Sequence, residues 1–178
     1  MFYLVSSPTR VGSHYLVKII DSSGEPTDKT HDPRQQAEYE NTCLIILNRR
    51  NRFRAIMSSA VMLQTKQYSE YYTVLDIAPF AITKNIFEEL YRFNKFYSQQ
   101  HDFSLPWKKI EWFYMEDFVG NSQHVFERLE LTQVREMQYS QQSPYRYQDS
   151  VINIEQCKKW YLELEDFCSP VKWSGIES

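Results

Sequence analysis

Cys43-Leu44-Ile45-Ile46-Leu47, then Asn48-Arg49-Arg50-Asn51, then the run from Arg52 to Thr65: these residues decide the fold. The first five form a continuous apolar run of strand length. That is the pattern of a strand buried on both faces, as in a parallel sheet. A polar turn follows. The next stretch carries Ala55, Ile56, Ser59, Ala60 and Leu63 at helical spacing, which predicts a helix over 52–65 with those residues on its packed side. Strand, polar turn and helix make the unit from which parallel α/β sheets are assembled.

The same unit stands upstream. Phe2-Tyr3-Leu4-Val5 reads as a short buried strand. Ser6-Ser7-Pro8-Thr9 breaks it, and Arg10-Val11-Gly12-Ser13 leads into the helical periodicity of Tyr15, Leu16, Ile19 and Ile20. Residues 21–41 are polar, contain Pro26 and Pro33, and read mostly as loop. Downstream, the pattern predicts a helix over 83–99 with Ile86, Leu90, Phe93 and Phe96-Tyr97 on one face. A strand over 110–115 follows, then a helix near 121–130 with Val125, Phe126 and Leu129 inward. Glu116-Asp117 stand before that helix, where acidic side chains suit the helix start. Residues 132–152 read mostly as loop. Asn153 and Gln156 have capping-box spacing before a helix carrying Ile154, Cys157, Tyr161, Leu164 and Cys168. The alternation predicts an α/β fold with a mainly parallel sheet, and no repeat or linker divides residues 1–178, so a single domain is expected.

Composition narrows the function classes. Of 178 residues, 42% are hydrophobic and 16% aromatic, enough bulky apolar surface for a core, which argues against disorder. No apolar run approaches the ~18 residues of a membrane span. No basic and apolar leader follows Met1, so a cytoplasmic setting is expected. Cys43, Cys157 and Cys168 are scattered, without CxxC or a Cys/His cluster. A disulfide framework and a metal site are therefore not expected. The net charge is −3, but residues 1–60 carry +2 and residues 61–178 carry −5. This places any anionic ligand on the N-terminal third and argues against whole-surface nucleic-acid binding.

Two loops follow strands in that third. In Ser7-Pro8-Thr9-Arg10-Val11-Gly12-Ser13-His14, Gly12 permits close backbone approach to an anion. Ser13 offers a hydroxyl, the helix start offers N–H groups, and Arg10 offers a fork for phosphate or sulfonate oxygens. A plain strand-to-helix turn with a surface arginine is the alternative. The second loop, Asn48-Arg49-Arg50-Asn51-Arg52-Phe53-Arg54, crowds four arginines that repel one another. It reads as a solvated helix face, as a nucleic-acid or partner contact, or as a phosphate site at a helix start with Ser58 or Ser59 turned toward it.

Pro8-x-Arg10-x-Gly12-Ser13 after a first strand resembles the 5′-phosphosulfate loop of sulfotransferases, commonly PxRSG[ST]. Leu47 to Ser58 resembles their 3′-phosphate motif, an arginine after a strand and a serine eight or nine residues later on the following helix. The ungapped fit is to the bacterial trehalose-sulfotransferase-like branch, where Arg49 pairs with Ser58 and the helix ends on Gln64-Thr65. In the cytosolic-type pattern the arginine is Arg50. Gly24-Glu25-Pro26-Thr27-Asp28 is similar to that branch's GEPxE segment. Val11 and His14 depart from the usual Ser and Thr, and the stretch from Gly12 to Cys43 is shorter than in that branch.

The resemblance implies a three-layer P-loop-NTPase-like sulfotransferase fold. It also implies 3′-phosphoadenosine 5′-phosphosulfate (PAPS) as donor, with 3′-phosphoadenosine 5′-phosphate (PAP) as product and no metal. The acceptor is then a hydroxyl of a carbohydrate or other small molecule. Arg10 would bridge sulfonate and leaving phosphate, with Val11, Gly12, Ser13 and His14 cradling the 5′ side. Arg49, Arg50 and Ser58 would hold the 3′-phosphate, and Asp28 would take the acceptor proton. His31, an imidazole in the same loop, is an alternative base. A non-catalytic PAP-binding module and an interaction protein using the arginine cluster are the competing readings. The tract Tyr139, Tyr145, Arg146, Tyr147 could cover an adenine or pack on the surface.

Overall fold

The structure is a computed structural model that describes residues 1–8, 11–31, 33, 38–66, 78–99, 105–136 and 146–168. The elements run β1 (Phe2–Ser6), α1 (Ser13–Asp21), β2 (Thr27–Thr30), β3 (Thr42–Asn48), α2 (Arg52–Thr65), α3 (Lys84–Gln99), β4 (Lys109–Tyr114), α4 (Met115–Phe118), α5 (Gln123–Leu129), α6 (Tyr147–Ser150) and α7 (Ile154–Cys168). A 3-10 turn, Tyr39–Asn41, precedes β3.

The four strands among the described residues form one sheet in the order β2-β1-β3-β4. Every pairing is parallel, with Leu4 opposite both Asp28 and Leu44, and Ile46 opposite Trp112. The apolar run of β3 lies in the middle of the sheet and is buried from Thr42 to Leu47. Side chains alternate between faces with the strand period of two. Tyr3, Val5, Cys43, Ile45, Leu47 and Phe113 point to the face covered by α1 and α5, where they meet Leu16, Ile19, Ile20, Val125, Phe126 and Leu129. Leu4, Leu44 and Ile46 are buried on the other face with Phe2, Trp107 and Ile110 packed against them.

The stretch expected to be loop contains β2. Its sequence, TDKT, has no apolar alternation, because an edge strand pairs on one side and stays half solvated. The expected strand over 110–115 begins and ends one residue earlier, and Met115 opens α4. Residues 147–150, within another stretch expected as loop, form the short helix α6. Tyr139 and Tyr145 lie outside the described residues. Tyr147 packs edge-on against Phe53.

A second cluster joins α2, α3 and α7. It contains Ile56, Met57, Ala60, Val61, Phe87, Tyr91 and Cys157. Two expected packed faces are corrected here. On α3 the buried stripe is Phe87, Tyr91, Asn94 and Ser98, whereas Ile86, Phe93 and Phe96 are exposed. The helix is turned by one position, because α2 and α7 both press on the Phe87 side. On α2 Leu63 is exposed, and Met57 and Val61 are buried in its place. Cavity-lining residues from these two helices, Leu63, Ile86, Leu90 and Phe93 among them, border an apolar groove of about 490 Å³.

Asn153 stands directly before α7, as its spacing predicts, and its carbonyl accepts from the Cys157 N–H at 3.1 Å. Its side chain reaches across the chain. It accepts from the Ile82 N–H at 2.9 Å and donates to the Ile82 carbonyl at 2.8 Å. Beside it, Phe80 and Val151 form a parallel bridge. Asn153→Ala removes both bonds and leaves two partly buried backbone groups unmade, so a loss of about 1–3 kcal/mol is expected in urea unfolding. A loss below about 0.5 kcal/mol would show that the clamp contributes little.

Candidate anion-binding site

The chain leaves β1 toward β2 on one side and returns to β3 on the other. The strand order therefore reverses between β1 and β3, and ligands of open parallel sheets bind beyond the carboxyl ends of the strands at such a point. The carboxyl end of β1 leads into residues 7–14, and that of β3 leads into residues 48–51. The two loops singled out by sequence therefore leave neighbouring strands at the same end of the sheet.

In the first loop Val11 is buried among the residues under α1. Gly12 is the N-cap of α1 with φ +86°, a left-handed conformation that glycine adopts without strain. A Cβ there would stand 3.1 Å from Met115 Cγ, so Gly12 also admits the thioether side chain of the β4–α4 junction. Ser13 begins the helix. His14 is exposed, and its ring receives the Lys29 ammonium from the neighbouring edge strand. Arg10 and Thr9 lie outside the described residues.

The two base candidates occupy different places. Asp28 lies within β2, exposed, and its Oδ1 accepts the Lys29 N–H at 2.7 Å. His31 follows the carboxyl end of β2 and stands 2.6 Å through Nδ1 from the Ser7 carbonyl. A carbonyl only accepts, so Nδ1 carries the proton. The ring also meets Phe93 edge-on. Of the two, His31 is the group joined to the first loop.

In the second loop the four arginines separate. Asn51 caps α2 by accepting the Arg54 N–H at 2.8 Å. The Arg49 side chain is only 9% exposed, and its Nε stands 3.6 Å from Glu116 Oε1. The Arg50 side chain is 56% exposed and meets Asp117 Oδ1 at 2.5 Å through Nη2. Its guanidinium lies over the Tyr114 ring at 4.8 Å. Glu116 Oε2 accepts the Arg50 N–H at 3.1 Å. Arg54 is exposed and Arg52 half-buried on α2. Ser58 is half-buried on the second turn of α2, while the buried Ser59 hydroxyl donates to the Ala55 carbonyl at 3.0 Å. Ser59 is therefore bonded back into its own helix.

Sequence reasoning treated Glu116-Asp117 as helix-start charges. The Asp117 carboxylate does accept the Tyr114 N–H at 3.4 Å in that sense. Their larger part is to face Arg49 and Arg50. The signal was present as two adjacent acids against two adjacent arginines, each pair following a strand. Only the β3–β4 register, Asn48 opposite Tyr114, shows that the pairs meet. Met115 and Tyr114 were missed for the same reason.

The free thiols lie away from these loops. Burial pushes Cys43 and Cys157 up to about 11, which keeps them protonated and unreactive at neutral pH. Among the described residues, no three His, Cys, Asp or Glu side chains gather as a metal site requires, and no helix is long and apolar enough to cross a membrane.

The arrangement defines an α/β chain with a four-stranded parallel sheet and two candidate anion loops at its switch point. No family model, curated protein or solved structure matches it.

Proposed function

We propose that the chain binds a nucleotide carrying separate 5′ and 3′ phosphates and transfers a sulfuryl group from PAPS to an acceptor hydroxyl. The observation that supports this reading is that two loops with sulfotransferase-like spacing leave neighbouring parallel strands at the same end of the sheet. Ser13 and the first N–H groups of α1 form a helix start suited to the 5′ phosphate. Arg49 supplies a nearly buried cation beside the β3–α2 turn for the 3′-phosphate, with Ser58 one helix turn or more along.

In the transfer, the acceptor oxygen attacks sulfur, the bond from sulfur to the 5′-phosphate oxygen breaks, and PAP leaves with that electron pair. Arg10 balances the charge gathering on the bridging oxygen, as cations do in phosphoryl transfer. The acceptor proton goes to a base near the first loop. His31 suits this role by its place next to Ser7, with Asp28 the carboxylate alternative.

The test is the melting temperature with millimolar PAP against adenosine 5′-monophosphate. A ligand at 100 times its Kd adds about 2.7 kcal/mol to the native state. On a chain of this length that is a rise of about 5–11 °C. A rise with PAP and none with the monophosphate is expected. Equal curves in all three conditions would overturn the reading.

A further inference from the structure

The arginines of the second loop already face an anion supplied by the chain itself. Glu116 touches this loop twice, through the Arg49 guanidinium and the Arg50 N–H. Asp117 holds the Arg50 guanidinium, and the Tyr114 ring lies beneath it. All three partners come from one junction, the end of β4 and the start of α4. A helix-start role would require the carboxylates to face the N–H groups of α4. Only Asp117 does so, at the Tyr114 N–H, whereas Glu116 is turned to the neighbouring loop.

We propose that Glu116 is an internal counter-anion of the β3–α2 loop, which any phosphate or sulfate ligand must compete with or displace. The geometry provides for such a release. Glu116 is about one-third exposed, with a side-chain accessibility of 36%, so it can swing into water without stranding a charge. Arg49 is only 9% exposed and stays at the loop as a cation for an incoming anion. The same junction places Met115 against Gly12 in the first loop. The proposal rests on the anion-binding reading of this loop but not on the identity of the nucleotide.

Glu116→Gln tests it. The amide keeps the size of the side chain and an acceptor for the Arg50 N–H, and removes the charge. Calorimetric titration with inorganic pyrophosphate, and separately with PAP, is run on both proteins at one low ionic strength. Pyrophosphate is expected to bind the variant about fivefold more tightly, the scale of one partly exposed ion pair. Unchanged or weaker pyrophosphate binding, or none to either protein, overturns the counter-anion. A gain for pyrophosphate without any preference for PAP keeps the counter-anion and removes the nucleotide reading. Should the variant fail to fold, the unaltered protein serves. Pyrophosphate should then shift the Arg50 amide resonance as Glu116 leaves it, and an unmoved resonance at saturation overturns the proposal.

Discussion

Phe87→Ala is expected to lower the stability of the chain by about 3–5 kcal/mol, the range for deleting a buried phenyl ring. Phe87 is fully buried at the centre of the helical cluster. Its ring stands 6.3 Å from that of Phe53 on α2 and 6.0 Å from that of Trp160 on α7. It is thus a residue through which α3 touches both other helices. Tyr91, one turn on, adds an edge-on contact with Tyr161 at 5.9 Å and a hydroxyl bond to Glu165 at 2.6 Å. Those contacts lie on the same stripe and also join α3 to α7. The matching fall in melting temperature is about 6–20 °C for a chain of this length. Ile86→Ala, at the next position but 44% exposed, is expected to fall within about 1 kcal/mol of the unaltered protein. Equal losses at the two positions would contradict the observed rotation of α3.

That rotation shows where the sequence was legible and where it was not. The strand β3 and the helix α2 are written in local chemistry. An apolar run, a polar turn and helical spacing give boundaries for α2 that the structure repeats, Arg52–Thr65. Which face of α3 is buried is not local. Residues 86, 90 and 93 and residues 87, 91 and 94 are both apolar or amphipathic stripes, and only the placement of α2 and α7 chooses between them. β2 was missed because its polar sequence carries no period, and its pairing with β1 is a property of the partner strand.

The site divides in the same way. Gly12, Ser13, Arg49 and Arg50 were found from turn chemistry that precedes a helix. The contacts Arg49–Glu116, Gly12–Met115 and His31–Ser7 join residues distant in sequence, and the parallel register brings them together. Asp28, named as base from a resemblance of five residues, has its carboxylate on its own neighbour's N–H, while His31 is the one held at the loop.

Arg49→Ala is expected to remove the whole of the PAP-dependent rise in melting temperature, about 2.7 kcal/mol at 100 times Kd. The reason lies in solvation. A phosphate bound to an exposed arginine exchanges water for a ligand at little gain, as exposed ion pairs show. Arg49 has already lost its water, being only 9% exposed, so its attraction for a second anion is weakly screened. Arg50, 56% exposed and stacked on Tyr114, is expected to lose at most about 1 kcal/mol of the same stabilisation when changed to alanine. Without ligand, Arg49→Ala should cost about 1–2 kcal/mol, because Glu116 can hydrate once its partner is gone and still accepts the Arg50 N–H. Arg49→Lys separates charge from shape. It keeps the cation and loses the planar fork, so it should retain part of the PAP effect if charge dominates and none if paired hydrogen bonds do. A full PAP response from Arg49→Ala, with the loss appearing in Arg50→Ala instead, would move the 3′-phosphate from the buried arginine to the exposed one. It would then match the cytosolic-type spacing rather than that of the trehalose-type branch.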